Sequence, residues 1–418
     1  MASSGLAIRD RKIFQKVFEI PVRCIKGAMR PHGAFAGATA LPRMRVSLET
    51  VVQYASRYVY VNSASGVAPS KRFVWDWKEI LRWEIEKYWS VDLTSADPKI
   101  ETLFQEKKAF SSEHGKRSGE YMAYGFALAF IDRLLRIHPQ RVLFFAASGS
   151  RADFHLPIIL PGGSRAGLEA RSRGYLREPS TKDRTAIAGK KAPAVGAPAH
   201  PGRGLVVYFL HGTDVVDGTD YGPQNETQLF LVDPADDAGV ASELETQVAA
   251  VTNYLQLTER IGLHVYSKIL QSALRTYEAF GELRADGDPY EPDFTHASPG
   301  AHPIRREYGG RWFVGRYFSS LVAEGITREQ ARLRMASGDY GTYSFEGLAI
   351  AVLRLIAVHD WSGLAAYSHY DDHGAEVADR FEEIRAVVFG DGFCSDDLEL
   401  DESHEKEVHD VRVSFNLD

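Results

Sequence analysis

The segment from Arg151 to Arg173 does most to limit the folds open to this chain. Two stretches, Asp153-Phe154-His155-Leu156-Pro157-Ile158-Ile159-Leu160 and Ala166-Gly167-Leu168-Glu169-Ala170-Arg171-Ser172-Arg173, flank a Pro161-Gly162-Gly163 turn. Apolar runs joined by Pro and Gly read as a strand hairpin. Side chains alternate along a strand, so Glu169, Arg171 and Arg173 share one face while Leu168, Ala170 and Ser172 share the other. If the two strands pair, Asp153 and Glu169 converge with a cation beside them.

The segments around this hairpin have a definite order. Glu113 to Ile137 has the composition of a helix, rich in Tyr, Ala, Phe and Leu, and it ends at His138-Pro139 because the residue before proline avoids helical geometry. Val142 to Ala147 is an apolar strand that precedes the hairpin. Thr181 to Lys191 reads as a short helix, Gly189 to Gly204 as an Ala/Pro/Gly-rich connection, and Leu205 to Leu210 as a buried strand. The sequence therefore predicts helix, three strands, helix, strand.

The flanks are less patterned. Residues from Lys12 to Ser63 read as short strands and loops, with Val17 to Val22 and Val59-Tyr60-Val61 β-rich. A helix is expected over Trp75 to Trp89, with Trp77, Ile80, Leu81 and Tyr88 as its buried stripe. Its four tryptophans (Trp75, Trp77, Trp83 and Trp89) fit core packing better than base stacking. After Asp233 the pattern turns mostly helical, over Ser242 to Thr258, Ile261 to Ala279, Thr327 to Ala336 and Phe345 to His359, with Asp286 to Gly310 as a long loop. The expected division is an N-terminal accessory segment (1–95), a core (96–235) and a helical accessory domain with an acidic tail (236–418).

Charge is distributed unevenly about a net of -7. Met1 to Arg45 carries nine Lys/Arg against two acids, and Arg141 to Arg203 eleven against four. Gly204 to Ala250 has nine acids and no Lys or Arg. The net charge excludes a uniformly basic nucleic-acid binder, but a basic block around the hairpin is a footprint for an anionic substrate. The acid-rich stretch from Ser395 to Asp410 could cover that block until a partner or DNA displaces it. Cys24 and Cys394 are far apart, offering neither a zinc motif nor a disulfide framework, which fits a reducing cytoplasm. No run approaches the roughly 20 apolar residues that span a bilayer.

The element order, with an acid on the second strand and Glu-x-Arg on the third, resembles the PD-(D/E)xK nuclease superfamily. The resemblance covers about Glu113 to Leu210. It implies an α/β fold with a restriction-endonuclease-like αβββαβ core, a β-rich N-terminal segment and a mostly helical C-terminal one. By the resemblance, Asp153 stands at the metal-binding aspartate, Glu169 at the second carboxylate and Arg171 at the lysine. The carbonyl of Ala170 joins the metal ligands, Glu120 supplies an additional acid, and Lys190 and Arg173 face phosphate. The implied activity is Mg²⁺-dependent hydrolysis of phosphodiesters, with Mn²⁺ as a substitute. DNA is the implied substrate, and effectors of prokaryotic restriction or anti-phage defence are the analogy, acting as a homodimer or with a protein partner.

Two positions depart from the pattern. Ala152-Asp153 replaces Pro-Asp, which changes little because the proline only shapes the strand. Arg171 replaces lysine, and a guanidinium that stays protonated cannot act as a general base. It can still stabilise a pentavalent phosphorane, or mark a fold that now only binds. Without the resemblance, Asp153 is an acid at a turn, and Glu169 with Arg171 a same-face surface pair worth little. His369-Tyr370-Asp371-Asp372-His373 is a rival cluster, with two histidines four apart that would share a helical face and hold a transition metal. His211-Gly212-Thr213-Asp214 follows a buried strand, and His296, His302, Arg305 and Arg306 fall in the long loop. No Walker-type glycine loop, nucleophile elbow or His-Glu-x-x-His is present.

Overall fold

The structure, a computed structural model, describes residues 14, 17–20, 22–24, 43–61, 78, 80–82, 85, 89–91, 100–102, 113–134, 136–144, 154–159, 165–173, 206–210, 228–232, 239–294, 304–319, 328–336, 342–370 and 386–399. In chain order the elements begin with β1 (Val17–Ile20), β2 (Val22–Cys24), β3 (Met44–Ser47), α1 (Leu48–Val61), β4 (Trp89–Val91), β5 (Ile100–Thr102) and α2 (Glu113–Arg133). The hairpin region follows as β6 (Leu143–Phe144), β7 (Phe154–Ile159), β8 (Arg165–Arg173), β9 (Val206–Leu210), β10 (Gln228–Val232) and β11 (Gly239–Val240). The remainder comprises α3 (Glu243–Ile261), α4 (His264–Phe280), β12 (Ile304–Tyr308), β13 (Arg311–Ser319), α5 (Arg328–Ala336), β14 (Thr342–Ala349), α6 (Ile350–Ala357), α7 (Trp361–Ala366), β15 (Val387–Val388) and β16 (Phe393–Glu399).

Two sheets organise this mixed α/β chain. The first runs β11-β7-β8-β9-β10-β2, with β6 also on β7. β7 and β8 form the expected antiparallel hairpin. β8 and β9 are parallel, so the chain between them must cross over, and β10 returns antiparallel to β9. The N-terminal β2 closes the far side, parallel to β10. α2 packs across β8 and β9, and α1 packs on α2. The helix pair approaches closely because residue 125 is glycine: an added Cβ would overlap the backbone of Val51.

The second sheet, β12-β13-β14-β16-β15, is antiparallel throughout. Its first hairpin turns at Gly309 and Gly310, both at positive φ (56° and 76°), the conformation that a two-residue primed turn demands. This sheet corrects two expectations. The C-terminal stretch, expected to be mostly helical, carries this five-stranded sheet beside its helices, and the long loop expected over 286–310 contains β12. Phe345 to His359 was expected as one helix, but it divides at Ala349 into the end of β14 and α6. A short apolar run suits either element, and Gly347 within it is a poor helix former.

The acid-rich stretch needs a further correction. Asp396 and Asp397 lie on β16, between β14 and β15; Asp396 is buried, and Asp397 is half-buried with its side chain turned inward. They are part of the fold rather than a detachable mask, while residues 400–418 lie outside those described. Val59-Tyr60-Val61, read as β-rich, ends a helix. The Ser47 hydroxyl caps it, accepting from Thr50 N–H at 3.1 Å, and Leu48, Val51, Val52 and Ala55 go into the core. The Trp75–Trp89 expectation holds as helix at the described positions 78, 80–82 and 85, whereas Trp89 starts a strand. The stripe differs: Ile80 is 56% exposed, while Lys78 and Arg82 are buried with Leu81 and Ile85. One continuous hydrophobic core runs from Phe14 to Cys394.

Candidate functional site

The hairpin's register decides what can meet at its end. Phe154, the first residue of β7, pairs with Leu168, and the next residue on β8, Glu169, pairs with Val206, the first residue of β9. Three strand backbones therefore converge at positions 168 and 169. Ala170, Arg171 and Arg173 continue β8 beside Val207, Tyr208 and Leu210, with 169, 171 and 173 at alternate positions. Glu120 lies in the second turn of α2, the helix that packs on these strands. Asp153, one residue before β7, and Lys190 lie outside the described residues.

The metal expected at position 169 is a hard cation. A glutamate and a backbone carbonyl offer oxygen, and oxygen is what magnesium takes. Among the described residues, no group of three or more His, Cys, Asp and Glu is gathered as a metal site. Of the rival cluster, His369 is buried. It has the Tyr367 hydroxyl 3.2 Å from its Nδ1 and the Phe313 ring at 5.6 Å. Asp371, Asp372 and His373 lie outside the described residues, as do His211, Asp214, His296 and His302. Arg305 and Arg306 sit on β12: Arg305 lies over Trp312, and Arg306 lies over Tyr308 and Tyr317.

The other end of α2 carries a polar network that no local pattern in the sequence revealed. Asp132 is fully buried in the helix's last turn. Its Oδ1 lies 2.7 Å from His138 Nδ1, and its Oδ2 accepts from Tyr54 Oη and from Gly390 N–H at 3.0 Å. The Tyr370 hydroxyl, 3.2 Å from the same oxygen, is shared with the Val388 carbonyl. His138 Nε2 in turn lies 2.8 Å from Ser368 Oγ. Burial pushes the Asp132 carboxyl up, but the hydrogen bond and charge of His138, with the Tyr54 and Gly390 donors, outweigh it and hold the group below its ordinary value. Burial first, then the Asp132 charge, raises Tyr54 far above the usual phenol range, so it remains a donor.

A second buried polar cluster joins α1 to the antiparallel sheet. Lys78 Nζ lies 3.0 Å from Asp397 Oδ1, and Arg82 bridges Asp397 and Glu49. Gln53 Nε2 donates to Glu49 at 2.7 Å and to Asp397 at 2.9 Å, and its Oε1 faces Ser395 Oγ at 2.9 Å. Burial raises the Asp397 carboxyl, yet Lys78 and Arg82 pull it far below the carboxylate range. The charges balance, two cations against two anions, so the cluster reads as a structural tie.

Comparison with protein families, curated proteins and solved structures found no match to this chain. Among the described residues no helix is long and apolar enough to cross a membrane.

Proposed function

We propose that the protein is a metal-dependent nuclease that hydrolyses DNA phosphodiesters at the β7–β8 hairpin, with a restriction-endonuclease-like core. The observation that carries the reading is the convergence of β7, β8 and β9 at Leu168 and Glu169. Asp153 is bonded directly to Phe154, and consecutive Cα atoms are about 3.8 Å apart. The reading requires Asp153 to face Glu169 across the hairpin. The crossover from β8 to β9 and the packing of α2 on both strands support it as well.

Asp153, Glu169 and the Ala170 carbonyl would hold the cation, with Glu120 as an additional acid. Bound magnesium supplies an acidified water and charge neutralisation at phosphorus. Arg171, held protonated, takes no proton and instead offsets the charge that develops on the phosphoryl oxygens, with Arg173 beside it on alternate positions of β8. Lys190 would contact a neighbouring phosphate. Nuclease effectors of restriction or anti-phage defence are the nearest functional analogy.

Cleavage of supercoiled plasmid and of single-stranded DNA with Mg²⁺ or Mn²⁺ tests the reading. The wild type should nick in a metal-dependent way, and Asp153→Ala and Glu169→Ala should each lose activity by about 100-fold or more. A wild type that binds DNA without cutting it, and whose binding survives Asp153→Ala, would replace the nuclease with a binding subunit.

A further inference from the structure

We propose that Ser368, His138 and Asp132 form a second hydrolytic site, separate from the hairpin, in which Ser368 is a nucleophile towards ester carbonyls. The three side chains form a continuous line: Ser368 Oγ to His138 Nε2 at 2.8 Å, and His138 Nδ1 to Asp132 Oδ1 at 2.7 Å. This is a nucleophile, a base and a group that orients the base, recognised by roles rather than by order in the chain.

Hydrogen-bond chemistry sets the direction of the line. Asp132, held ionised, has only acceptors to offer, so the Nδ1 proton of His138 must point to it. In the neutral ring the Nε2 lone pair then faces Ser368 Oγ at 2.8 Å, the arrangement that lets it take the hydroxyl proton. The carboxylate sits where stability alone would not put it. The last turn of a helix repels negative charge, and burial adds a desolvation cost. Tyr54, Gly390 and His138 offset these penalties at one atom pair.

The surroundings hold the line in place. Arg136 adopts φ of 56°, a left-handed conformation uncommon for a residue with a side chain, in the reversal between Asp132 and His138. Its guanidinium lies over the Tyr370 ring at 5.2 Å. Position 390 must be glycine, because an added Cβ would overlap His138 Nδ1 and Asp132 Oδ1. Either side of Ser368 the backbone is tied, with Tyr367 O accepting from Gln140 Nε2 at 2.6 Å and His369 N–H donating to Gly390 O at 2.7 Å. His138 and Asp132 are buried, but Ser368 is only partly so. Of the three residues, Ser368 alone is not fully buried.

The reaction balances without a metal. Ser368 Oγ bonds to the acyl carbon as its proton passes to His138 Nε2, and the leaving alcohol takes that proton as its bond to the acyl carbon breaks. Water then attacks the acyl-serine and gives its proton to His138, which returns it to Ser368 Oγ as the carboxylic acid leaves. The substrate class proposed for a residue half-buried among tied backbone is a small acyl group on an accessible ester, the acetyl ester class.

The test uses the full chain, a fluorophosphonate probe and p-nitrophenyl acetate, both with EDTA present. One probe molecule should attach at Ser368, located by peptide mass spectrometry, and acetate release should fall at least about 100-fold in Ser368→Ala. Ser368→Ala removes one oxygen from a partly exposed side chain, and its melting temperature reports folding independently. Absence of labelling on folded wild type, labelling elsewhere, or acetate release unchanged in folded Ser368→Ala would each overturn the proposal and leave the network a structural one.

Discussion

Asp396 and Asp397 are neighbours on one strand, both with side chains out of solvent, and their carboxyls are driven in opposite directions. Alternation along β16 sends them to different faces. Asp397 meets Lys78 and Arg82, whereas Asp396 meets the Tyr308 hydroxyl at 2.7 Å. Its Oδ1 has no hydrogen-bond partner among the described residues. Burial raises the Asp396 carboxyl to about 6, against the lowering influence of Arg306 and Tyr308, while the charges of Asp397 and Glu49 add to the rise. A raised acid favours the protonated native state. Its contribution is therefore complete below the unfolded value near pH 4 and is lost as pH rises through about 6. Asp396→Asn is expected to stabilise the protein by about 2–3 kcal/mol at pH 7.5, with the gain vanishing towards pH 4. Urea melts at both pH values check this, and an equal effect at both would refute it. None of this could be read from the sequence, where these residues look like part of an acid-rich tail. Lys78 and Arg82 were likewise hidden, because the partner they share, Asp397, lies more than 300 positions away.

At the scale of elements, local chemistry was legible where the element is decided locally. Ser242-Glu243-Leu244-Glu245 spells a capping box, and α3 starts there: Glu245 N–H donates to Ser242 Oγ at 3.3 Å, and Ser242 N–H donates to Glu245 Oε2 at 3.0 Å. Gly262 at φ 80° ends the helix. Ser242→Ala should cost about 1 kcal/mol in a urea melt; no measurable cost would show that packing alone sets this end. The α2 helix and strands β6 to β9 were also anticipated, since proline, glycine and β-branched runs mark them. Strand β10 was missed, as was the division of β14 from α6. Short apolar runs carry no period long enough to separate strand from helix, and their pairing partners decide the matter. The convergence at Glu169 was legible only as alternation on a hairpin. The Ser368 line was not legible at all, because its histidine and its serine are 230 positions apart.

On the scale of the whole molecule, buried polar ties join the chain's beginning to its end. Arg57 meets Asp391 at 2.7 Å with both side chains buried, Gly390 N–H reaches Asp132, and Asn253 Nδ2 donates to the carbonyls of Gln140 and Val142 at 2.8 and 3.0 Å. Breaking one member of such a buried charge pair costs about 3–5 kcal/mol. Deleting Asp396 to Asp418 is expected to abolish cooperative unfolding by removing half of β16 and the Asp397 tie. Circular dichroism during heating checks this; a truncated protein that melts as sharply as the full chain would restore the detachable-tail reading.

The Arg57–Asp391 pair also sets a timetable for biosynthesis. A ribosome that has delivered residue 57 must add 334 more before residue 391 exists (391 minus 57), which takes roughly 20 seconds to a minute at about 5–20 residues per second. Through that interval α1 waits with a guanidinium meant for burial and an apolar face without its final cover. The pair thus closes only when the last sheet has been made, so a chain truncated before residue 391 is expected to leave Arg57 without that partner.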